Sequence, residues 1–259
     1  MAPFQLHGSG LEVQPHFGNK VAAVGDDRVL ISSIKGALGG GAVYLFSTNG
    51  SLLTTFTNPT PSPYDYFGRS IAAANDRILI GNSAEDTGRG VAYLFSANGT
   101  LLNTFTNPTP ATNEGFGVAL ALTDDRVVIS ASGDNQWAGA TYLFSTNGTL
   151  LTTWTNPAPT QYSFFGKAIA ILDNDRVIIS ADLATFIYAL PDTRIPSLTV
   201  NLSAPGQATI SWTPSVPGFV LQETADVSTS NWVNSASGAT NPTIVPATLP
   251  TKFYRLLKP

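Results

Sequence analysis

The sequence predicts an all-β chain: a small, about four-bladed β-propeller of four-stranded blades closed by an N-terminal strand, followed by a small β-sandwich. Three observations carry that reading. Phe-Gly recurs at Phe17-Gly18, Phe67-Gly68, Phe116-Gly117 and Phe165-Gly166, at spacings of 50, 49 and 49 residues. Between these landmarks each unit repeats short segments of strand character separated by turn residues. No window combines a helical apolar period with helix caps. A period of this length with four antiparallel strands per unit belongs to a radial array of blades.

Each strand has its own reason. The first follows Phe-Gly and carries Ala22, Ala72, Ala121 and Ala170; innermost strands crowd an axis, where small residues fit. A turn follows at residues 26–28, 75–77, 124–126 and 174–176, each ending in Asp-Arg. Its Asx side chain is expected to cap the turn and its Arg to reach a carboxylate or carbonyl between blades. The second strand is nearly all apolar and β-branched, as in Val29-Leu30-Ile31, Ile78-Leu79-Ile80, Val127-Val128-Ile129 and Val177-Ile178-Ile179. Such a run predicts burial on both faces. The third strand begins at Tyr44, Tyr93 and Tyr142 with Tyr-Leu-Phe-Ser, and an Asn-Gly hairpin at Asn49, Asn98 and Asn147 leads to the fourth. An Asn-Pro pair at Asn58, Asn107 and Asn156 closes the unit.

The fourth unit stops after its third strand, near Tyr188-Ala189-Leu190. Phe56 lies 11 residues before Phe67, and Leu6 lies 11 before Phe17, so Phe4-Gln5-Leu6-His7 occupies the outer-strand position. This segment is expected to complete the last blade and leave no raw sheet edge. A four-bladed single chain is the first expectation; a two-chain, eight-bladed ring exchanging that strand comes second, and a fragment of a longer propeller third. The first domain is read as residues 1–193.

Beyond Pro196 the pattern changes. Residues 194–259 carry alternating segments, Leu198–Leu202, Ala208–Trp212 and Gly218–Glu223, with further strands at Thr243–Val245 and Phe253–Leu256. They predict a small sandwich with Trp212 and Trp232 as core aromatics.

Composition excludes several classes. Charged residues are 12% and the net charge is −4, which argues against a nucleic-acid partner. There is no Cys, hence no disulfide framework and no thiolate nucleophile. No apolar run approaches the roughly 18 residues of a membrane span, and the opening Met1–His7 lacks the basic flank and apolar run of a signal peptide.

Few residues stand out as chemistry. His7 and His16 lack the partners of a triad or zinc site. Asn49-Gly50-Ser51 and its repeats match a glycosylation sequon, but the hairpin alone accounts for Asn-Gly there. Asp65, Glu85, Asp86 and Glu114 are the non-repeating candidates for a glycosidase pair, while the first-strand positions read Asn19, Arg69, Val118 and Lys167, with no acid among them. The segments before Phe-Gly are aromatic. Tyr64, Tyr66, Tyr162 and Phe164 are expected on one rim, with Trp137 in a neighbouring loop, as a ligand-binding surface.

The repeated Phe-Gly, the small first-strand residues, and Gly41-Ala42-Val43-Tyr44, Gly90-Val91-Ala92-Tyr93 and Gly139-Ala140-Thr141-Tyr142 resemble the FG-GAP repeat of integrin-α-type propellers over roughly residues 1–190. The calcium loop of that family is missing: Val24-Gly25-Asp26-Asp27 and Leu172-Asp173-Asn174-Asp175 cannot supply about six to eight oxygen ligands. No cofactor or metal is expected. The C-terminal segment, with Leu221–Asp226, Trp232 and Phe253-Tyr254-Arg255-Leu256, resembles the short Ig/fibronectin-III-like tails of secreted bacterial proteins. Both resemblances imply an extracellular or cell-surface, non-enzymatic binding or adhesion module, with an unidentified protein or carbohydrate partner and a monomer ahead of a strand-exchanged dimer. Two alternatives are a polysaccharide-acting hydrolase or lyase with carboxylates at the funnel, and a purely structural segment of a larger surface protein.

Overall fold

The computed structural model describes residues 16–34, 40–62, 65–84, 88–172, 175–191, 196–213, 219–228, 231–247 and 251–257. The chain divides into two compact units, Met1–Leu190 and Pro191–Pro259. Both consist of small antiparallel sheets joined by turns.

In the first unit the repeat becomes four consecutive sheets. The first contains β1 (Phe17–Val24), β2 (Arg28–Ser33), β3 (Ala42–Ser47) and β4 (Leu52–Thr57) in sequence order. The second contains β5 (Ser70–Ala74), β6 (Arg77–Asn82), β7 (Val91–Ser96) and β8 (Leu101–Thr106). The third contains β9 (Phe116–Leu122), β10 (Arg126–Ala131), β11 (Ala140–Ser145) and β12 (Leu150–Thr155). The fourth contains three described strands, β13 (Ile169–Leu172), β14 (Arg176–Ser180) and β15 (Thr185–Ala189). The expected closing strand at residues 4–7 lies outside the described residues.

First strands lie side by side along the array, β1 against β5, β5 against β9 and β9 against β13. The apolar second strands send alternate residues to opposite faces. Leu30 packs with Ile78 and Ile80 of the next sheet, Leu79 with Val127 and Ile129, and Val128 with Val177 and Ile179. Each fully buried aliphatic side chain is worth about 1.5–3 kcal/mol, so the contact between sheets holds the array more than any single sheet does. Outer strands reinforce it. Phe56 meets Phe95 at 5.4 Å, Phe105 meets Phe144 at 5.3 Å, and Trp154 meets Tyr188 at 5.6 Å between ring centres.

Glycines fix the spacing between units. A Cβ at Gly41, Gly90 or Gly139 would collide with the carbonyl oxygen of Phe67, Phe116 or Phe165 in the next unit, and all three have positive φ. The Gly of each Phe-Gly pair has φ between 87° and 89°. Its presence is therefore explained by a left-handed backbone, rather than by the axis crowding expected from sequence.

The inter-unit arginine behaves as the turn chemistry predicts. Arg28 Nη1 pairs with Asp76 Oδ1 at 2.8 Å, and Arg77 donates to the carbonyl of Asp124. Both links join consecutive sheets at one end of the array.

The second unit holds two three-stranded sheets. One is ordered β16 (Ser197–Ala204), β17 (Gln207–Thr213), β20 (Thr243–Pro246); the other β19 (Val233–Asn234), β18 (Val220–Thr224), β21 (Phe253–Leu257). They share a core of Ala208, Ile210, Trp212, Leu221 and Val245, packed by Leu198, Tyr254 and Leu256. Trp212 is in this core; Trp232 is not. Trp232 is half-buried and covered by the Arg255 guanidinium, 4.4 Å from its ring centre, so a cation–π contact replaces the expected apolar packing.

Candidate functional site

The loops at the Phe-Gly end of the array are locked by buried polar groups. Asn58 donates from Nδ2 to Asp65 Oδ2 at 2.7 Å, and the backbone N–H of Ser62 donates to the same oxygen at 2.6 Å. One unit later, Asn107 donates to Glu114 Oε2 at 2.7 Å and Ala111 N–H donates to it at 2.5 Å. Both acids follow the Asn of Asn-Pro by seven residues. In the fourth unit that offset gives Ser163, whose hydroxyl donates to the carbonyls of Thr160 and Ala138. Asp65 and Glu114, candidates for acid–base chemistry by sequence, thus serve as buried acceptors that close loops.

A second acid joins the third clasp. Asp134 is 1% exposed; it accepts from Asn107 Nδ2 at 2.9 Å and from the Tyr142 hydroxyl. Burial is the main cause that pushes its carboxyl up to about 6, and neighbouring Glu114 adds to it, against the two hydrogen bonds that favour the anion. Burial and the adjacent Asp134 likewise raise the Tyr142 phenol. The sequence gives Asp134 no repeated partner among the described residues, which is why it was missed. Its one signal is its place eight residues before Tyr142, matched by Glu85 eight before Tyr93, and Glu85 lies outside the described residues.

Asp134 anchors an unusual turn. Asn135, Gln136 and Trp137 have φ of 53°, 60° and 69°, a left-handed run that L-residues enter at about 1–2 kcal/mol each. Hydrogen bonds hold it from both sides. Gly139 N–H reaches the Asp134 carbonyl at 2.9 Å, while Phe164 and Phe165 N–H reach the carbonyls of Trp137 and Ala138, each at 2.9 Å. Tyr162 and Phe164 also have positive φ, 66° and 47°. Non-glycine strain is therefore concentrated around one feature.

That feature is an aromatic ledge. Trp137 and Phe164 rings lie 5.8 Å apart, and Phe164 and Tyr162 lie 6.2 Å apart. Trp137 is 39% exposed and Tyr162 55%, with Phe164 half-buried between them. On its other side Trp137 helps line an open cleft of about 330 Å³ with Tyr66, Arg69, Asn113, Glu114 and Val118. Tyr66 is held there by its N–H donating to Asn82 Oδ1 at 3.0 Å, and the Arg69 guanidinium sits 5.5 Å from its ring centre.

The structure thus brings Trp137, Phe164 and Tyr162 into one ledge and places Tyr66 across the cleft from it; Tyr64 lies outside the described residues. Neither Arg69 nor Asn113 was singled out as a binding residue from sequence. Both follow the repeat, Arg69 two residues after Phe67 and Asn113 three before Phe116. Among the described residues, no group of three His, Cys, Asp or Glu is placed to hold a metal ion, and no helix is long and apolar enough to cross a membrane.

No curated protein matches the chain. The FG-GAP repeat family matches residues 55–95, from the end of β4 through β7. This stretch of one outer strand and the next three strands is therefore similar to an FG-GAP repeat, within a chain that repeats its pattern four times.

Proposed function

We propose that the chain is a non-enzymatic extracellular or cell-surface binding module, built as a propeller-type array carrying a fibronectin-III-like domain. The cleft and the aromatic ledge beside it form the recognition surface. FG-GAP repeats occur in adhesion-type and extracellular proteins, which supports this class coarsely. The carrying observation is the strained, doubly anchored turn that holds Trp137 partly exposed beside Phe164 and Tyr162. Backbone strain kept at a surface feature is a mark of a working site. Aromatic faces bind the apolar face of a pyranose ring or a partner protein's side chain, and Arg69 and Asn113 supply donors for orientation.

The hydrolase alternative has less support. Glu114 and Asp134 are buried acceptors for Asn107, with Glu114 also bonded to Ala111 and Asp134 to Tyr142. The test is a glycan array run beside a screen against immobilised surface proteins. Trp137→Ala and Tyr162→Ala should each weaken the bound species about tenfold or more, as for the loss of a buried aromatic contact, without lowering Tm. Binding unchanged in both variants rejects the ledge. Turnover of a polysaccharide that is abolished by Glu114→Gln would replace this reading with the enzymatic one.

A further inference from the structure

The repeat shows which positions of the cleft are specialised. Tyr66 stands one residue before the Phe of its Phe-Gly pair and Arg69 two after it; the same positions one unit later hold Gly115 and Val118. In the fourth unit the place of Arg69 is taken by Lys167, whose ammonium pairs with Asp182 Oδ1 at 2.9 Å. Asp182 follows Phe165 by 17 residues, and the residue 17 after Phe67 is Ala84, which lines the cleft. Arg69 thus keeps the cation and lacks the acid that neutralises it in the fourth unit. Its guanidinium makes no ion pair or hydrogen bond to a described residue, and its partner is the Tyr66 ring, 5.5 Å from the ring centre.

Around this cation the cleft is rigid and its polar groups are unspent. Gly115 N–H donates to the Gly88 carbonyl at 2.9 Å and Phe116 N–H to the Arg89 carbonyl at 3.0 Å, which ties main chain to main chain across the second and third units. A Cβ at Gly88 would come within 3.1 Å of Asn113, so glycine lets the two loops close up. Asn113, Ser83 and Ser132 line the cleft, and their side chains make no hydrogen bond to another described residue. Glu114, the acid in the lining, already accepts from Asn107 and from Ala111 N–H through Oε2. We infer that the cleft binds a uronic acid residue of an acidic polysaccharide, its carboxylate on the Arg69 guanidinium and the apolar face of its ring on Trp137. This rests on the reading of cleft and ledge as the recognition surface and narrows it to one ligand class.

The ligand class follows from what the cleft leaves unsatisfied. A carboxylate matches the planar fork of a guanidinium through two parallel N–H···O bonds, and Tyr66 holds that guanidinium without consuming a donor. A uronate carries its carboxylate at the edge of a pyranose ring, so one residue presents the anion and an apolar face together. Its hydroxyls pair with the free amide and hydroxyl groups of Asn113, Ser83 and Ser132. An acidic peptide would use the guanidinium and leave those groups idle; a neutral sugar would leave the cation without a counter-charge. The cleft volume of about 330 Å³ lies at the low end of small-ligand sites, roughly 300–1,000 Å³. That suits a single sugar residue whose chain continues through the open mouth.

Calorimetric titration of the full chain with glucuronate- and galacturonate-containing oligosaccharides, beside their carboxyl-reduced counterparts, tests this. Carboxyl reduction and Arg69→Gln should each weaken binding roughly 10- to 100-fold, as for the loss of a hydrogen-bonded charge. Raising salt from about 0.01 M to 0.1 M should weaken the acidic ligand alone. Arg69 is exposed, so its replacement should leave Tm unchanged, and Arg69→Gln should not alter binding of the reduced form. Equal binding of acidic and reduced forms, both lost on Trp137→Ala, overturns the uronate and leaves the ledge reading standing. Preference for a sulfated oligosaccharide or an acidic peptide does the same, and so does uronate binding unaffected by Arg69→Gln. Uronate binding indifferent to Trp137→Ala sinks the ledge reading itself, and no binding of any of these probes or of a surface protein sinks both.

Discussion

Asp134 couples the candidate site to pH through a simple imbalance. Its carboxyl ionises near 6 in the folded chain and near the ordinary carboxylate value once unfolded. Between those values the folded state holds more protons than the unfolded one, so stability falls as pH rises through the window and levels off above about 6. The full effect is at most about 3 kcal/mol at 1.36 kcal/mol per pKa unit. Asp134→Asn should flatten that decline, which a series of Tm measurements from pH 4 to pH 7 reads directly; an unchanged slope places the titration elsewhere. The Trp137 turn sits directly on this group, so ligand binding should follow the same pH range. Sequence singled out Tyr162 on a rim and Trp137 in a neighbouring loop, both partly exposed in the structure, but was silent on Asp134. Its partners lie 27 residues before it and 8 after, and only folding makes them one cluster. The two acids that sequence did mark, Asp65 and Glu114, belong to loop closure, as the shared seven-residue offset from Asn58 and Asn107 makes plain afterwards.

At the level of strands and turns, the pattern was legible wherever its cause is local. An apolar β-branched run became a two-faced buried strand in the first three units, because burial on both sides requires that composition, while in the fourth Ile178 is half-buried. The Asx-Asp-Arg turn joined neighbouring sheets through Arg28 and Arg77, although Arg28 also lies 3.5 Å from Asp27 of its own turn. Gly at the head of the third strand was read as part of a motif, and its reason was hidden: the obstacle to a Cβ is a carbonyl from the next unit, about 26 residues away. Gly90→Ala should cost roughly 2–4 kcal/mol, combining a left-handed φ with a backbone collision. Chemical denaturation would show this as a lower midpoint at unchanged slope. Asp76→Ala should cost under about 1 kcal/mol, since its ion pair with Arg28 is largely exposed on the acid's side. Trp232 misled for a related reason. Trp232 was read as core beside Trp212, yet Arg255 on β21 offered a cation at 4.4 Å that satisfies it near the surface.

Across the whole chain, the repeat is what made the succession of sheets readable. Internal periodicity predicts the neighbours of every sheet that has two, and it is silent on what the first and last sheets meet. Sequence alone set a self-closed chain ahead of a paired one. Ile187 is 59% exposed where its counterparts Leu45, Leu94 and Leu143 are buried, so the last sheet departs from the repeat that its register follows. Coupling between sheets also predicts cooperative loss of the first unit. Leu79→Ala, fully buried between the second and third sheets, should cost about 2–5 kcal/mol. Amide exchange should then accelerate in both flanking sheets together; acceleration confined to one would mean the sheets unfold separately.

The glycine-to-carbonyl approach at Gly41, Gly90 and Gly139 works as a ratchet tooth. Main chain abuts main chain at each of these junctions, so the spacing from one sheet to the next is set by backbone atoms as long as the glycines stay. Duplicating a 49-residue period, or exchanging one for another, would then lengthen or reorder the array while leaving its step intact. Growth by whole repeats is the evolutionary route such a backbone leaves open.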